Sequence, residues 1–134
     1  MDEMNLAHVI AGSALEMQAE DLEIIDVSEF VDYADFILVC GGRSERQVRA
    51  IVEAIQKDLK KRDVMPLGVE GLNLGRWVLM DFGAVVVHVF LESARSYYDI
   101  EGLWMDAKRL PFDESTLPSA GVNENQRGRC ASGS

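Results

Sequence analysis

The chain has 134 residues, of which 48% are hydrophobic and 27% are charged, and this composition predicts one globular domain with a substantial core. Two cysteines are too few for a disulfide framework. The acidic N-terminal residues lack the basic region of a signal peptide. No apolar run approaches the roughly 18 residues that are needed to cross a bilayer. A cytoplasmic protein without a membrane partner is therefore expected.

The net charge of −10 is concentrated in the first third of the chain. Residues 1–42 contain no lysine or arginine, whereas residues 43–134 hold all 13 cations. A segment without cations displaces no counterions from a phosphate backbone, so this third is not expected to clamp nucleic acid. Two interpretations stay open, namely a solvated acidic face that aids solubility and a face that meets a basic partner.

The first half of the chain predicts one helix and two strands. Apolar residues three and four positions apart predict a helix over residues 4–20, and short apolar runs predict strands at 22–27 and 36–40. The second of these strands is continuously hydrophobic, which is typical of a central strand. The polar residues 28–35 between the strands are predicted to be a connection.

A turn of two glycines ends the second strand and leads into a helix over residues 44–62. Ser44 followed by Gln47 is the capping-box pattern, in which the hydroxyl and the glutamine side chain each accept a hydrogen bond from a free amide. The apolar stripe that faces the core consists of Val48, Ile51, Val52, Ile55 and Leu59.

The second half of the chain predicts a short edge strand at 66–69, a hairpin over 77–90 and a third helix over 92–110. Residues 112–134 show no periodicity and predict a disordered tail, which leaves residues 1–111 as the folded domain. The order of elements predicts an α+β (mixed α/β) fold, a single domain with a mixed sheet of about five strands packed with helices.

The glycine turn raises an enzymatic alternative, because Gly41, Gly42 and a capped helix can cradle a phosphate and also open the nucleotidyltransferase pattern. That chemistry needs two carboxylates, two residues apart on a nearby strand, to hold Mg²⁺. The segment that follows is a continuous helix and supplies no such pair, and Asp81 on the later hairpin is single. His8 and His88 are too far apart in sequence for a zinc-type site. No catalytic residue, cofactor or metal is expected, and a degenerate or unrecognised nucleotidyltransferase-type enzyme is kept as the alternative function.

The hairpin supplies the candidate binding residues. If Gly83 and Ala84 form its loop, the strand period of two divides the side chains between two faces. One face is wholly apolar and consists of Val78, Met80, Phe82, Val85, Val87 and Val89. The other face mixes aromatic residues with an acid and a histidine and consists of Trp77, Leu79, Asp81, Val86, His88 and Phe90.

The mixed face predicts a partly solvated surface on which His88 points away from the deepest core and Asp81 lies diagonal to it, where a weak charge pair could form. A patch of this kind is typical of protein-binding sites. The alternative is that the third or the N-terminal helix covers the face and leaves His88 as a satisfied core residue. The predicted partner-binding residues are Trp77, Leu79, Asp81, His88 and Phe90.

Four segments, in one order across about residues 5–105, carry a family pattern: IDVSEFVDYADFILVCGGRSERQVRAI, GVEG, WVLMDFGAVVVHVF and ESARSYYDIEGLW. Its most specific parts are Trp77, Asp81, Gly83 and Val87-His88-Val89, followed by Arg95, Tyr98, Glu101, Leu103 and Trp104. In these residues the chain closely resembles the ribosomal silencing factor family (RsfS, also called Iojap).

The resemblance implies a nucleotidyltransferase-like fold without the catalytic carboxylates, and a translational repressor without enzymatic activity. Such a protein would bind the large ribosomal subunit through its ribosomal protein number fourteen and sterically block association with the small subunit. It would not read a nucleic-acid sequence directly. Members of the family are often dimers when free, so a homodimer is one expected state of the free protein.

Overall fold

The computed structural model describes residues 2–98 and 108–110, which form three helices and six strands. The helices are α1 (Glu3–Glu16), α2 (Glu45–Lys60) and α3 (Glu92–Tyr98). The strands are β1 (Glu20–Asp26), β2 (Phe36–Gly42), β3 (Gly68–Glu70), β4 (Trp77–Asp81), β5 (Val85–Leu91) and β6 (Lys108–Leu110). The predicted mixed α+β class is confirmed, and no helix in the described part of the chain is long and apolar enough to cross a membrane.

The strands form one mixed sheet in the order β3-β4-β5-β2-β1-β6. β2 and β5 are parallel, and the other neighbouring pairs are antiparallel. Every residue of β2 is buried, which confirms the central position predicted from its continuous hydrophobicity. Because β2 and β5 are parallel and adjacent, the chain must cross between them, and α2 lies in that crossover.

α1 and α2 pack side by side on one face of the sheet and enclose the larger of two hydrophobic clusters. All five apolar residues predicted for the stripe of α2 are fully buried there. A polar contact joins the two helices within this packing, because the Ser13 hydroxyl donates to Asp58 Oδ2 at 2.5 Å. The opposite face of the sheet carries a smaller cluster, and no residue of α1 or α2 belongs to it.

The start of α2 shows a variant of the predicted capping box. Ser44 Oγ accepts a hydrogen bond from the Gln47 amide at 3.0 Å, as expected. The Gln47 side chain, however, accepts from the Arg43 amide at 2.7 Å and not from that of Ser44 itself. Its Nε2 also donates to the carbonyls of Met17 and Gln18. Gln47 therefore ties the start of α2 to the end of α1, which the local sequence pattern does not indicate.

Ser44→Ala is expected to lower the free energy of unfolding by about 1 kcal/mol, because the Gln47 amide loses its acceptor at the helix N-terminus. Urea unfolding of the two proteins measures the difference. The exposed Ser28 hydroxyl donates to Asp26 in a local turn away from any helix end, so Ser28→Ala serves as the control and should change stability less. Equal stability of Ser44→Ala and the parent chain would contradict this capping role.

Two predicted helix boundaries are wrong. The helix predicted over 4–20 ends at Glu16, and Gln18 takes a left-handed backbone conformation (φ 63°) that turns the chain into β1. The helix predicted over 92–110 is wrong at its end, because residues 108–110 form β6 and pair with Ile24, Ile25 and Asp26 of β1. Pairing with a distant strand satisfies the edge of β1, and a helical sequence period does not report such a contact. The predicted tail at 112–134 lies outside the described residues.

Candidate functional site

The β4–β5 hairpin has the predicted register. Trp77 pairs with Phe90, Leu79 with His88 and Asp81 with Val86, and the Phe82 amide donates to the Val85 carbonyl at 2.9 Å. Gly83 and Ala84 are therefore the two loop residues. The division of the hairpin into an apolar face and a mixed face is confirmed. The apolar face lies in the cluster beneath α1 and α2, and Val86, Phe90, Trp77 and Leu79 of the mixed face belong to the smaller cluster.

Three rings form the centre of the mixed face. The Trp77 and Phe90 rings stack with centroids 5.2 Å apart, and the His88 and Phe90 rings stack at 6.1 Å. The indole Nε1–H of Trp77 donates a hydrogen bond to His88 Nδ1 at 3.0 Å. Stacking and a directed hydrogen bond fix the orientation of the half-buried indole, so Trp77 presents a rigid aromatic edge to solvent.

His88 is uncharged at neutral pH. Only 5% of the residue is exposed, and burial lowers the pKa of its imidazole to about 4. A neutral ring with Nδ1 as an acceptor carries its proton on Nε2. An imidazole with this pKa is a weak base at pH 7, and its Nδ1 lone pair is already taken by Trp77. His88 is therefore suited to hold the indole and unsuited to general base catalysis.

Asp81 does not form the predicted charge pair with His88. Its Oδ1 accepts from the Gly83 amide at 2.8 Å and so stabilises the hairpin turn, in which Gly83 has a left-handed φ of 85°. An Asp side chain two residues before a turn glycine can form this local hydrogen bond at little entropic cost. His88 is neutral and therefore offers the Asp81 carboxylate no positive charge with which to pair. The carboxylate remains partly exposed at the rim of the face.

The mixed face was predicted to be partly exposed to solvent, and this is correct for only some of its residues. Trp77, Leu79 and Asp81 are partly exposed, but His88 is buried and Phe90 is fully buried. The connection between β1 and β2, residues 27–35, contributes to the burial of Phe90, because its Val27, Val31 and Ala34 pack into the same cluster. His88 does point away from α1 and α2, and the expectation that it is partly solvated is wrong.

Sequence reasoning passed over two aromatic residues in that same connection. Phe30 is 53% exposed and Tyr33 is 63% exposed, and both lie close in sequence to Val31, which packs against the same cluster as Trp77 and Leu79. The average polarity of residues 28–35 is high enough to hide these two large aromatic side chains in a sequence reading.

Gly71 positions Trp77 from the other side. Gly71 has a φ of 88°, and a Cβ added there would overlap the Trp77 carbonyl oxygen. The chain between β3 and β4 can therefore pass against the start of β4 only with glycine at this position. In the sequence, the GVEG segment was part of the family resemblance, but its glycines had no assigned physical role. The structure gives Gly71, the second of them, such a role.

Arg95, also part of the resemblance, anchors α3. Its guanidinium is 6% exposed and donates to the carbonyls of Glu20 (3.3 Å) and Asp21 (2.7 Å), at the irregularity where β1 bulges. It also lies near Cys40, whose thiol pKa burial raises to about 12 despite the positive charge of Arg95. Cys40 is therefore a protonated core residue and not a nucleophile.

Comparison with known proteins decides the family. The family model described as "Ribosomal silencing factor during starvation" matches residues 1–132. The chain belongs to the ribosomal silencing factor family. It is 36% identical over 113 residues to ribosomal silencing factor RsfS of Bacillus subtilis, covering 84% of this chain and 96% of that protein.

A eukaryotic relative and a crystal structure agree with this assignment. The chain is 33% identical over 107 residues to a mouse protein named "Mitochondrial assembly of ribosomal large subunit protein 1", covering 75% of this chain and 47% of that one. A crystal structure of a Chromobacterium violaceum protein superposes with a TM-score of 0.77 at 32% identity, covering 92% of this chain and 98% of that one.

The family role is regulatory, and the surroundings of the glycine turn suit that role better than nucleotide chemistry. A cleft of about 430 Å³ beside the turn is lined by Glu16, Met17, Gln18, Glu20, Arg43 and Gln47. Its one cation, Arg43, forms an ion pair with Glu20, so two carboxylates face an arginine that is already engaged. This lining would repel a triphosphate. In the described residues no group of three or more His, Cys, Asp and Glu side chains could hold a metal ion.

Proposed function

We propose that this chain is a translational repressor that binds the large ribosomal subunit at its ribosomal protein number fourteen and sterically blocks association with the small subunit. Membership of a silencing-factor family supports the repressor role, and the name of the mouse relative supports the large subunit as the partner. The observation that carries the choice of site is the partly exposed Trp77 of the mixed face, whose indole is held by a hydrogen bond to His88 and by stacking on Phe90.

The proposed contact surface is the mixed face, with different tasks for its five residues. Trp77 and Leu79 are the partly exposed apolar anchors, and Asp81 offers a carboxylate at the rim. His88 and Phe90 are buried beneath them and act by fixing the indole. An aromatic anchor that is rigid before binding loses little conformational entropy when it meets a partner, so more of its contact energy appears as affinity.

Charge supports a basic protein as the partner. The connection between β1 and β2 carries Glu29, Asp32 and Asp35, and no cation lies in residues 1–42. Carboxylates in this part of the chain favour a partner surface rich in lysine and arginine, as the surfaces of ribosomal proteins usually are, through faster association and exclusion of acidic partners. Of the two interpretations of the acidic third, this proposal adopts the partner-facing one.

Repression in this scheme requires no chemical step. A bound protein excludes the small subunit by volume, so its effect depends on occupancy of the large subunit and on where it sits. The neutral His88 and the protonated Cys40 agree with such a role, because neither is poised for acid–base or nucleophilic chemistry.

A subunit-joining assay tests the proposal directly. Purified large and small subunits are mixed with increasing amounts of the protein, and whole ribosomes are measured by light scattering and by gradient sedimentation. We expect joining to fall in proportion to the fraction of large subunits that carry the protein, without added nucleotide. Joining that proceeds normally on protein-saturated large subunits would rule out the steric block, and a requirement for a nucleoside triphosphate with Mg²⁺ would favour the enzymatic alternative.

A further inference from the structure

Four cations gather at the C-terminal end of α2 and in the residue that follows its cap. They are Lys57, Lys60, Lys61 and Arg62, and they are called the α2 cationic end below. The three lysines are exposed and the arginine is partly exposed. The negative end of the helix dipole accounts for Lys57 and Lys60, which lie in the last turn. Lys61 is the cap residue and Arg62 lies beyond it, so the dipole does not explain the whole group.

None of the four forms an ion pair within the part of the chain that the structure describes, although acids are close in sequence. Asp58 lies among them but accepts from the Ser13 hydroxyl instead. Other cations are engaged: Arg43 pairs with Glu20, and Arg49 donates to the carbonyls of Leu72 and Asn73. Within the described residues, these four cations therefore form an exposed group that no acid of the fold neutralises, in a chain whose net charge is −10.

The sheet order separates this group from the acids of β1 and of the connection that follows it. β1 and the connection that follows it carry acids, and β1 lies on the far side of β2 and β5 from β3. The α2 cationic end leads, within a few residues, into β3 at the opposite edge of the sheet. The α2 cationic end and the acids of β1 therefore lie toward opposite edges of the sheet, and a basic partner at the β1 edge would leave the cationic end uncontacted.

We propose that the α2 cationic end contacts the phosphate backbone of ribosomal RNA on the large subunit. This inference rests on the proposed function, in which the mixed face contacts a ribosomal protein. Lysine ammonium groups on long exposed stems neutralise phosphates without reading bases, and the counterions they displace supply the affinity. RNA is favoured over an anionic membrane because the family to which the chain belongs is named for the ribosome.

The test compares two double variants that remove equal charge from the two ends of the same helix. Lys60→Gln with Lys61→Gln alters the cationic end, and Arg43→Gln with Arg46→Gln alters exposed cations at the other end. Binding to intact large subunits is measured at about 50 mM and about 200 mM salt, a fourfold range over which two phosphate contacts change affinity by roughly tenfold. Thermal unfolding of both variants checks that each is folded.

For each protein the affinity falls by some factor between the low and the high salt concentration. We expect this factor to be roughly tenfold smaller for the lysine variant than for the parent chain, and the same for the arginine variant as for the parent chain. Both variants should bind isolated ribosomal protein number fourteen as the parent does. A parent-like salt dependence for the lysine variant would overturn the inference. Weakened binding of that variant to the isolated protein would also overturn it, because the cluster would then contact protein.

A second arm separates this inference from the proposed function. The parent chain and the lysine variant are titrated with large-subunit RNA stripped of protein at low salt, and with vesicles that contain an anionic lipid. We expect weak, salt-sensitive binding to the RNA that the lysine variant lacks, and weaker binding to the vesicles. If the parent chain did not bind intact subunits, the proposed function would fail, and the RNA titration would still decide the role of the cluster. Vesicle binding stronger than RNA binding would assign the cluster to a membrane.

Discussion

Trp77→Ala is expected to weaken binding to ribosomal protein number fourteen by about 2 kcal/mol or more, which is about thirtyfold in the dissociation constant. The indole is the largest partly exposed side chain of the mixed face, and its orientation is fixed by Phe90 beneath it and by His88 beside it. Removing it takes away both the contact area and the rigid edge. Calorimetry or surface plasmon resonance with the isolated ribosomal protein measures the change.

The same substitution has a structural cost that must be separated from the loss of binding. It removes the stacking on Phe90 and leaves the buried Nδ1 of His88 without its donor, which together are expected to cost about 1–3 kcal/mol of stability. Binding is therefore compared per folded molecule. Val87→Ala is the matched control, because Val87 is fully buried on the opposite face and should lose a similar 1–3 kcal/mol while binding normally.

Equal loss of binding in the two variants would mean that Trp77→Ala acts only through stability. A Trp77→Ala protein that is folded and binds as the parent does would remove the mixed face from the proposed interface. The exposed aromatics Phe30 and Tyr33 would then be the next candidates, because they lie in the connection whose Val31 packs against the same cluster as Trp77 and Leu79.

The hairpin register could be predicted from sequence because only local rules decide it. Two loop residues with glycine first set the pairing of Phe82 with Val85, and the strand period of two then assigns every other side chain to a face. The wholly apolar face faces the helices because a misplaced register would expose six apolar side chains at once. The candidate residues could therefore be chosen from the strand register, which the local sequence of the hairpin is sufficient to determine.

The burial of those candidates could not be predicted, because distant residues determine it. Phe90 lies in one cluster with Val31 and Ala34 of the connection over residues 27–35, and nothing in the sequence near the hairpin indicates that these residues pack there. The strand β6 was missed for the same reason, since its pairing with β1 joins residues far apart in the chain. The bonds from Gln47 to Met17 and Gln18 are a third long-range contact of this kind.

Acidification is expected to destabilise the protein through His88. Burial lowers the pKa of this side chain from 6.5 to about 4, so the unfolded chain binds a proton more readily than the folded one between these two values. The contribution of neutral His88 to stability is therefore fully present above about pH 6.5 and falls as the pH drops through about 4. The loss relative to neutral pH should reach roughly 1 kcal/mol by about pH 5.5 and about 3 kcal/mol by about pH 4.

Urea unfolding of the parent chain and of His88→Gln is measured across this pH range. The difference between the two proteins separates the contribution of His88 to the pH dependence of stability from the contribution of the carboxylates. Glutamine does not titrate, and its side-chain oxygen can accept from the Trp77 indole in place of Nδ1. The stability difference between the two proteins should therefore shift in favour of His88→Gln as the pH falls. Parallel curves for the parent chain and His88→Gln would show that His88 does not resist protonation.

Because a protonated His88 cannot accept from Trp77, binding by the folded parent should weaken over the same pH range, and binding by His88→Gln should weaken less.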